Sequence, residues 1–418
     1  MRPQRPWAAI AAATVLNLPL GSIYAFSVFL KPIEAELGLG RSDMSLVFAV
    51  ASVGFTVGML LVPLAFGRMS AAALVGVSGA AAVLGVGLAA MANGLGLLLV
   101  GYSVLFGISG GATYIVAQQS ANLLITRNRG LVNGYITGLY PAGAMLAAPL
   151  FGWCDETLGY RTTLALLALV LLAATVASVW LLGHSGVVLR GRVRGEADAT
   201  GRTAIFIRMW LLFFLAAAAG LTVLSQAAGI IAAYGGTAAL ALTATTAITG
   251  AVAVARLSGG WLTDRFAVPH VCAAAHGWSL TGAVLLTLFP SPIVAAVALA
   301  MVAMGHGFIS GATASGIALY WPAPAFGRVA SQIYIGWCAA AISLPLLAGY
   351  LFDLTHGYGT AVLIAGCGNL VGGTISLGLP RGRKEISDTD EQDANDGPRP
   401  HMPKPHAAGG VDTPTDLT

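Results

Sequence analysis

Apolar runs of about 20 residues recur from one end of this chain almost to the other, and a run of that length is what a helix needs to cross a bilayer. Twelve such runs can be read, at 7–30, 44–66, 71–92, 95–122, 130–152, 161–183, 208–232, 238–262, 268–289, 293–320, 329–352 and 360–379. Only 9% of the 418 residues are charged, against about 25% in ordinary soluble domains. The expected fold class is therefore an all-α polytopic membrane protein, since a helix satisfies its own backbone inside lipid. The first run follows Arg2 and Arg5 as a signal peptide would, but it is too long for that role and eleven more follow, so it is expected to be retained. The four cysteines, Cys154, Cys272, Cys338 and Cys367, stand singly in apolar stretches. Without CxxC or His–Cys spacing they read as small buried hydrophobes, and no metal or cofactor is implied.

Lys and Arg collect on the cytoplasmic side of membrane proteins. With twelve spans both termini share a side, and one assignment places 17 of the 21 basic residues there, among them Arg68, Arg127, Arg129, Arg265 and Arg328. The other side holds Lys31, Arg41 and Arg161. The net charge of +4 is thus a sign of orientation, and no nucleic-acid partner is expected. Both termini should lie in the cytoplasm of a cell-membrane protein.

The polar stretch 184–207 divides the spans six and six, giving an N-terminal bundle (1–183), a cytoplasmic linker (184–207), a C-terminal bundle (208–380) and a polar tail (381–418) that is expected to be disordered. Three weak internal matches fall in the same order in each half. "ISGGAT" (108–113) answers "ISGATA" (309–314), "RGLVNGYITG" (129–138) answers "GRVASQIYIG" (327–336), and "DETLGY" (155–160) answers "DLTHGY" (353–358). Duplicated halves belong to secondary transporters, which bind substrate near the midplane between them. Twelve spans in 6+6 order with a basic middle loop resemble the major facilitator superfamily. "GGWLTDRF" (259–266) is similar to that superfamily's G-x-L-x-D-[RK] loop, with Gly260, Leu262, Asp264 and Arg265 in place. The corresponding loop after the second span, "PLAFGRM" (63–69), keeps Gly67 and Arg68 but lacks the aspartate. "GSIYAFSVFLKPIEAELG" (21–38), "GGATYIVAQQSANLLITRNRGLVNG" (110–134) and Arg256, eight residues before Asp264, resemble the oxalate/formate antiporter and monocarboxylate transporter branch.

Arg256 is the one basic residue that falls inside a span, and a guanidinium stays charged in proteins. One reading is snorkelling, since the end of its span is roughly 9 Å away at 1.5 Å per residue. Against it, Arg256 shares its helical face with Thr245, Thr249, Val252, Ala253 and Gly260, which suit a cavity or helix contact better than lipid. A structural ion pair is the second reading, but all 17 acidic residues fall at one membrane face or the other. The missing partner is then expected to be a substrate carboxylate, which a planar guanidinium holds bidentately. The resemblance implies the same role, because the branch binds substrate carboxylate through an arginine at this place in the eighth span. Two departures qualify it. Oxalate exchangers add a lysine in the eleventh span, whereas 329–380 contains no Lys or Arg. Animal monocarboxylate carriers place an aspartate four residues before the arginine, where this chain has Val252.

Polar residues at helical spacing mark one face of several other spans. Asn17 and Tyr24 do so in the first, Tyr114 and Gln118 in the fourth, Tyr140 in the fifth, His306 and Ser310 in the tenth, and Trp337, three residues after Tyr334, in the eleventh. With Arg256 these form the expected substrate site, although each alone also suits packing or a bond to its own helix. His276 and His306 are embedded and carry the side chain whose ordinary pKa lies near neutrality, and His306 lies in a span that lines the cavity in the resembled superfamily, so it is the candidate for proton coupling. The expected function is secondary active transport of a small organic monocarboxylate, proton-linked or by exchange for a counter-anion, by a monomer in the lipid bilayer. The alternative is a carrier of neutral solutes or drugs with Arg256 structural. An enzyme is not expected, because no nucleophile–base pair, metal cluster or phosphate loop is legible.

Overall fold

The structure is a computed structural model that describes residues 4–191, 202–289, 291–355 and 357–382. The basic residues Arg2, Arg192, Arg194, Arg383, Lys384, Arg399 and Lys404, the middle of the linker and nearly all of the tail lie outside the described residues. Among the described residues regular structure is helical, apart from one isolated bridge between Phe66 and Met69.

Among the described residues eleven helices are long and apolar enough to cross a membrane: α1 (Pro6–Leu37), α2 (Arg41–Ala65), α3 (Ala71–Ala90), α4 (Leu95–Leu124), α6 (Tyr160–Ser185), α7 (Thr203–Ala233), α8 (Ala238–Thr263), α9 (Val268–Leu288), α10 (Pro292–Tyr320), α11 (Ala323–Thr355) and α12 (Gly359–Leu377). The expected fifth span is α5 (Arg129–Leu158), a helix of 30 residues. It has the length but carries Asn133, Thr137, Tyr140 and two prolines, and it packs against α8 and α10 rather than facing outward along its whole length. The first span is longer than the expected 7–30, because the chain stays helical to Leu37 and is wound as a 3-10 helix from Gly21 to Phe29.

Helix starts follow local chemistry. Ser70, Thr237 and Ser291 accept hydrogen bonds from the backbone N–H three residues on, capping α3, α8 and α10. Prolines inside helices have the opposite effect. A proline has no N–H, so the carbonyl four residues before it loses its helical donor. Pro19, Pro141, Pro149 and Pro345 are all of this kind.

The usual polarity of a folded chain is inverted. Leu169, Val176, Leu242, Ile293 and Leu346 are exposed, whereas Asn17, Gln118, Gln119, Asn122, Asn133, His276 and His306 are buried. That arrangement suits a lipid surround. Three cysteines are buried as expected, but Cys367 is exposed on α12, where lipid rather than protein would cover it. The N-terminal and C-terminal halves meet along two seams, α5 with α8 and α10, and α2 and α4 with α11. The first seam is tight because Gly130 and Gly134 on α5 face Gly260 on α8. A Cβ on Gly134 would lie 2.5 Å from the Arg256 carbonyl oxygen and 3.0 Å from the Gly260 Cα.

Candidate functional site

Between the seams lies a cavity of ≈ 30 Å³, lined by residues of both halves. Tyr24, Phe55, Met59, Tyr114 and Tyr140 come from the N-terminal half, and Phe213, Arg256, Ser310, Tyr334 and Trp337 from the C-terminal half. Rings meet across the divide: Tyr24 and Phe55 lie 6.0 and 6.1 Å from Trp337, and Tyr114 lies 5.8 Å from Tyr334, centroid to centroid. Within the N-terminal half Tyr140 stands edge-on to Phe55 and Tyr114.

Arg256 is the only charged side chain in this lining and the only buried Lys, Arg, Asp or Glu among the described residues, with 7% of its surface exposed. The sequence leaves it without a partner, and the structure corrects that. Nη1 donates to the Thr137 carbonyl of α5 at 2.9 Å, and Nη2 lies 3.5 Å from Nε2 of His306. The Thr137 carbonyl is free to accept because Pro141, four residues on, has no N–H to offer it. A backbone dipole freed by proline therefore stands where a carboxylate is absent. Nε of Arg256 is buried and without a partner. The Nε–Nη2 edge is thus the side of the guanidinium on which an incoming acceptor can pair.

His306 is fully buried but is not part of the cavity lining; it packs behind Arg256, with Phe213 at 6.4 Å between centroids. Since a guanidinium only donates, Nε2 facing it must accept, which puts the ring proton on Nδ1. Nδ1 has no partner. His276 sits within the C-terminal half, bonded through Nδ1 to Asn369 at 3.0 Å, away from the cavity.

Of the nine residues expected to bind substrate, Arg256, Tyr24, Tyr114, Tyr140, Ser310 and Trp337 line the cavity. Asn17 and Gln118 do not. Asn17 donates to the carbonyl of Ala13 on its own helix, and Gln118 accepts from the Tyr334 hydroxyl at 3.2 Å, a ring's length back from the space. Phe55, Met59, Phe213 and Tyr334 complete the wall without having been expected. An aromatic or methionine in an apolar run carries no polar stripe to single it out, whereas Tyr334 was visible in its pairing with Trp337.

The loop residues act at the far end of the α5–α8 seam. Asp264 accepts from the N–H groups of Gly130 and Leu131, both at 2.8 Å, and so caps α5 from the opposite half. Gly260 gives that contact its closeness, and Arg265 stacks over Trp261 at 3.8 Å.

A family profile described as "Major Facilitator Superfamily" matches residues 11–234, just over half of the chain. Among curated proteins the chain is similar to "Monocarboxylate transporter 11" of Mus musculus, 28% identical over 407 residues, 90% of this chain and 87% of that protein. It is also similar to "Uncharacterized MFS-type transporter YhjX" of Escherichia coli (strain K12), 22% identical over 315 residues, 72% of this chain and 77% of that protein. Among solved structures it is similar to the proton:xylose symporter XylE, with a TM-score of 0.72 at 14% identity, covering 92% of this chain and 98% of that one. FucP in the outward conformation gives 0.68 at 16% identity, covering 89% and 99%. At such identities these two structures speak for the fold alone.

Proposed function

This chain belongs to the major facilitator superfamily and is a multi-pass membrane transporter, not an enzyme, and from that premise we propose that it carries a small organic monocarboxylate by alternating access. The N-terminal (1–183) and C-terminal (208–380) bundles are the moving bodies, joined by the linker 184–207. Both termini lie in the cytoplasm of a cell-membrane protein that acts as a monomer. Arg256 holds the substrate carboxylate; Tyr24, Tyr114, Tyr140, Ser310 and Trp337 enclose the rest. Gly260, Asp264 and Arg265 form the loop that holds the cytoplasmic end of the α5–α8 seam.

The observation that carries this reading is Arg256 itself, a single buried cation with an unpaired Nε in an otherwise aromatic and neutral cavity. An isolated charge in a membrane interior is costly and marks a functional site. One cation matches one carboxylate, which favours monoanions over oxalate or succinate. The likeness to a monocarboxylate transporter supports the same class. Transport is proton-linked or by exchange for a second anion, and His306 at 3.5 Å from Arg256 is the proton candidate.

The competing reading is a carrier of neutral solutes, with Arg256 only a staple between the halves. The Thr137 bond favours it, and the proton:xylose symporter shares the fold. Counterflow in proteoliposomes separates the two. Acetate, lactate, pyruvate or benzoate should exchange, with oxalate, succinate, xylose and fucose poor competitors. Exchange of a sugar with no response to any acid would overturn the proposal.

A further inference from the structure

Pro19, Pro141, Pro149 and Pro345 each leave a carbonyl without its helical N–H, and one of these carbonyls meets the buried guanidinium. Pro141 frees Thr137, whose carbonyl takes Nη1 of Arg256 at 2.9 Å across the boundary between halves. The pairing depends on backbone position, since the Thr137 hydroxyl is turned to the Gly134 carbonyl at 2.9 Å and takes no part in it. Close approach makes it possible: a Cβ on Gly138 would be 3.8 Å from the Arg256 Cβ and 3.2 Å from the Ala253 carbonyl oxygen. Nη1 is therefore fixed, Nη2 is turned to His306 and Nε is left unpaired.

We propose that Pro141 is a positioning residue of the anion site: by withholding an N–H it frees the Thr137 carbonyl to hold Arg256 with its Nε–Nη2 edge towards the substrate. This rests on the carboxylate reading above. A side chain as long as arginine has several rotamers, and a site in which one is already fixed loses less freedom when the anion binds. A backbone carbonyl suits the task because it compensates part of the cation's charge without neutralising it, as a carboxylate would. The anchor also ties the site to both halves, since the guanidinium comes from α8 and its holder from α5. Replacing Pro141 by an N–H-bearing residue gives the Thr137 carbonyl a second donor to share with Arg256, which weakens and redirects its hold on the guanidinium.

The test is equilibrium binding to the full-length protein in nanodiscs, with pyruvate and benzoate as probes and pyruvamide and benzamide as their uncharged counterparts. In Pro141→Ala the acids should bind about tenfold more weakly or worse, as for loss of a hydrogen bond to a charged group, and discrimination against the amides should shrink accordingly. Pro149→Ala restores the same kind of bond eight residues further along α5, away from Arg256, and should leave both quantities unchanged. If Pro141→Ala unfolds, an ester in place of the peptide bond between Thr137 and Gly138 weakens the same carbonyl, and the Gly134 carbonyl that loses an N–H keeps the Thr137 hydroxyl. The ester should likewise weaken acid binding several-fold. Acid affinity within twofold of wild type in Pro141→Ala, or in the ester protein, overturns the inference and leaves the proposed function standing. Failure of the wild-type protein to bind either acid while it binds a sugar would instead remove the proposed function.

Discussion

At the end of the molecule that carries Asp264 two helices from opposite halves are capped across the boundary, and the caps differ in charge. α5 begins under the carboxylate of Asp264, which takes two backbone N–H groups at 2.8 Å. In α11 the backbone N–H of Gly327 donates to the carboxamide oxygen of Gln119 at 2.5 Å, and the amide nitrogen donates to the Ala323 carbonyl at 2.8 Å. A carboxylate also complements the partial positive charge of a helix N-terminus, which a carboxamide cannot do. The loop after α2 keeps Gly67 and Arg68 but has no aspartate, and a glutamine from α4 occupies that role instead. The two seams are both closed by a side chain from the opposite half and differ in its chemistry. The α5–α8 seam carries charge at its end, through Asp264, and at its middle, through Arg256. The α4–α11 contacts made by Gln119 and Gln118 are neutral, the second being with Tyr334 at 3.2 Å.

The comparison breaks most severely at the glycines. In Gly134→Leu the new side chain meets the Arg256 carbonyl and Gly260 backbone, neither of which can yield, so the charged seam must open. Overpacking of this kind costs about 1–3 kcal/mol or more; the melting temperature should fall and transport should be lost. Survival of both would mean the seam is looser than described. Next in size is Asp264→Asn, which keeps the shape and removes the charge at the α5 N-terminus. A loss of about 1–2 kcal/mol is expected, read as faster thiol labelling of Ser315→Cys, a position that is 6% exposed and 3.5 Å from the Gly130 carbonyl. Labelling that does not change would show that charge contributes nothing there. The smallest effect belongs to Tyr334→Phe, which removes the single neutral bond to Gln118, about 0.5–1.5 kcal/mol. If that variant labels faster than Asp264→Asn, the neutral seam is the stronger one and the comparison is inverted.

The sequence reads well wherever a charge interrupts an apolar run. Arg256 and Asp264 stand out because a lone ionic group in such a run needs a reason, and each occupies a contact between the halves. Gln119 and Thr137 could not be picked out the same way, since a glutamine or a backbone carbonyl looks alike whether it serves its own helix or a neighbour. The pair Thr137 and Pro141, four apart, does carry a signal: it announces an orphaned acceptor, though not the guanidinium that fills it from 119 residues away. The spacing of Gly130, Gly134 and Gly138 likewise announces a close helix contact without naming its partner. Phe55, Met59 and Phe213 were invisible, because helical periodicity in a fully apolar span does not distinguish a cavity wall from a lipid face.

If Arg256 meets the substrate as a fork and not as a mere charge, a lysine cannot take its place. Arg256→Lys keeps the cation and loses the planar pair of donors. Equilibrium binding of pyruvate and benzoate to wild-type and Arg256→Lys protein, both verified as folded by their melting curves, tests this directly. Acid binding should weaken about 10- to 150-fold in the lysine variant, the loss of a hydrogen bond to a charged group. Undiminished acid binding by a folded Arg256→Lys, and by Arg256→Ala beside it, would contradict it.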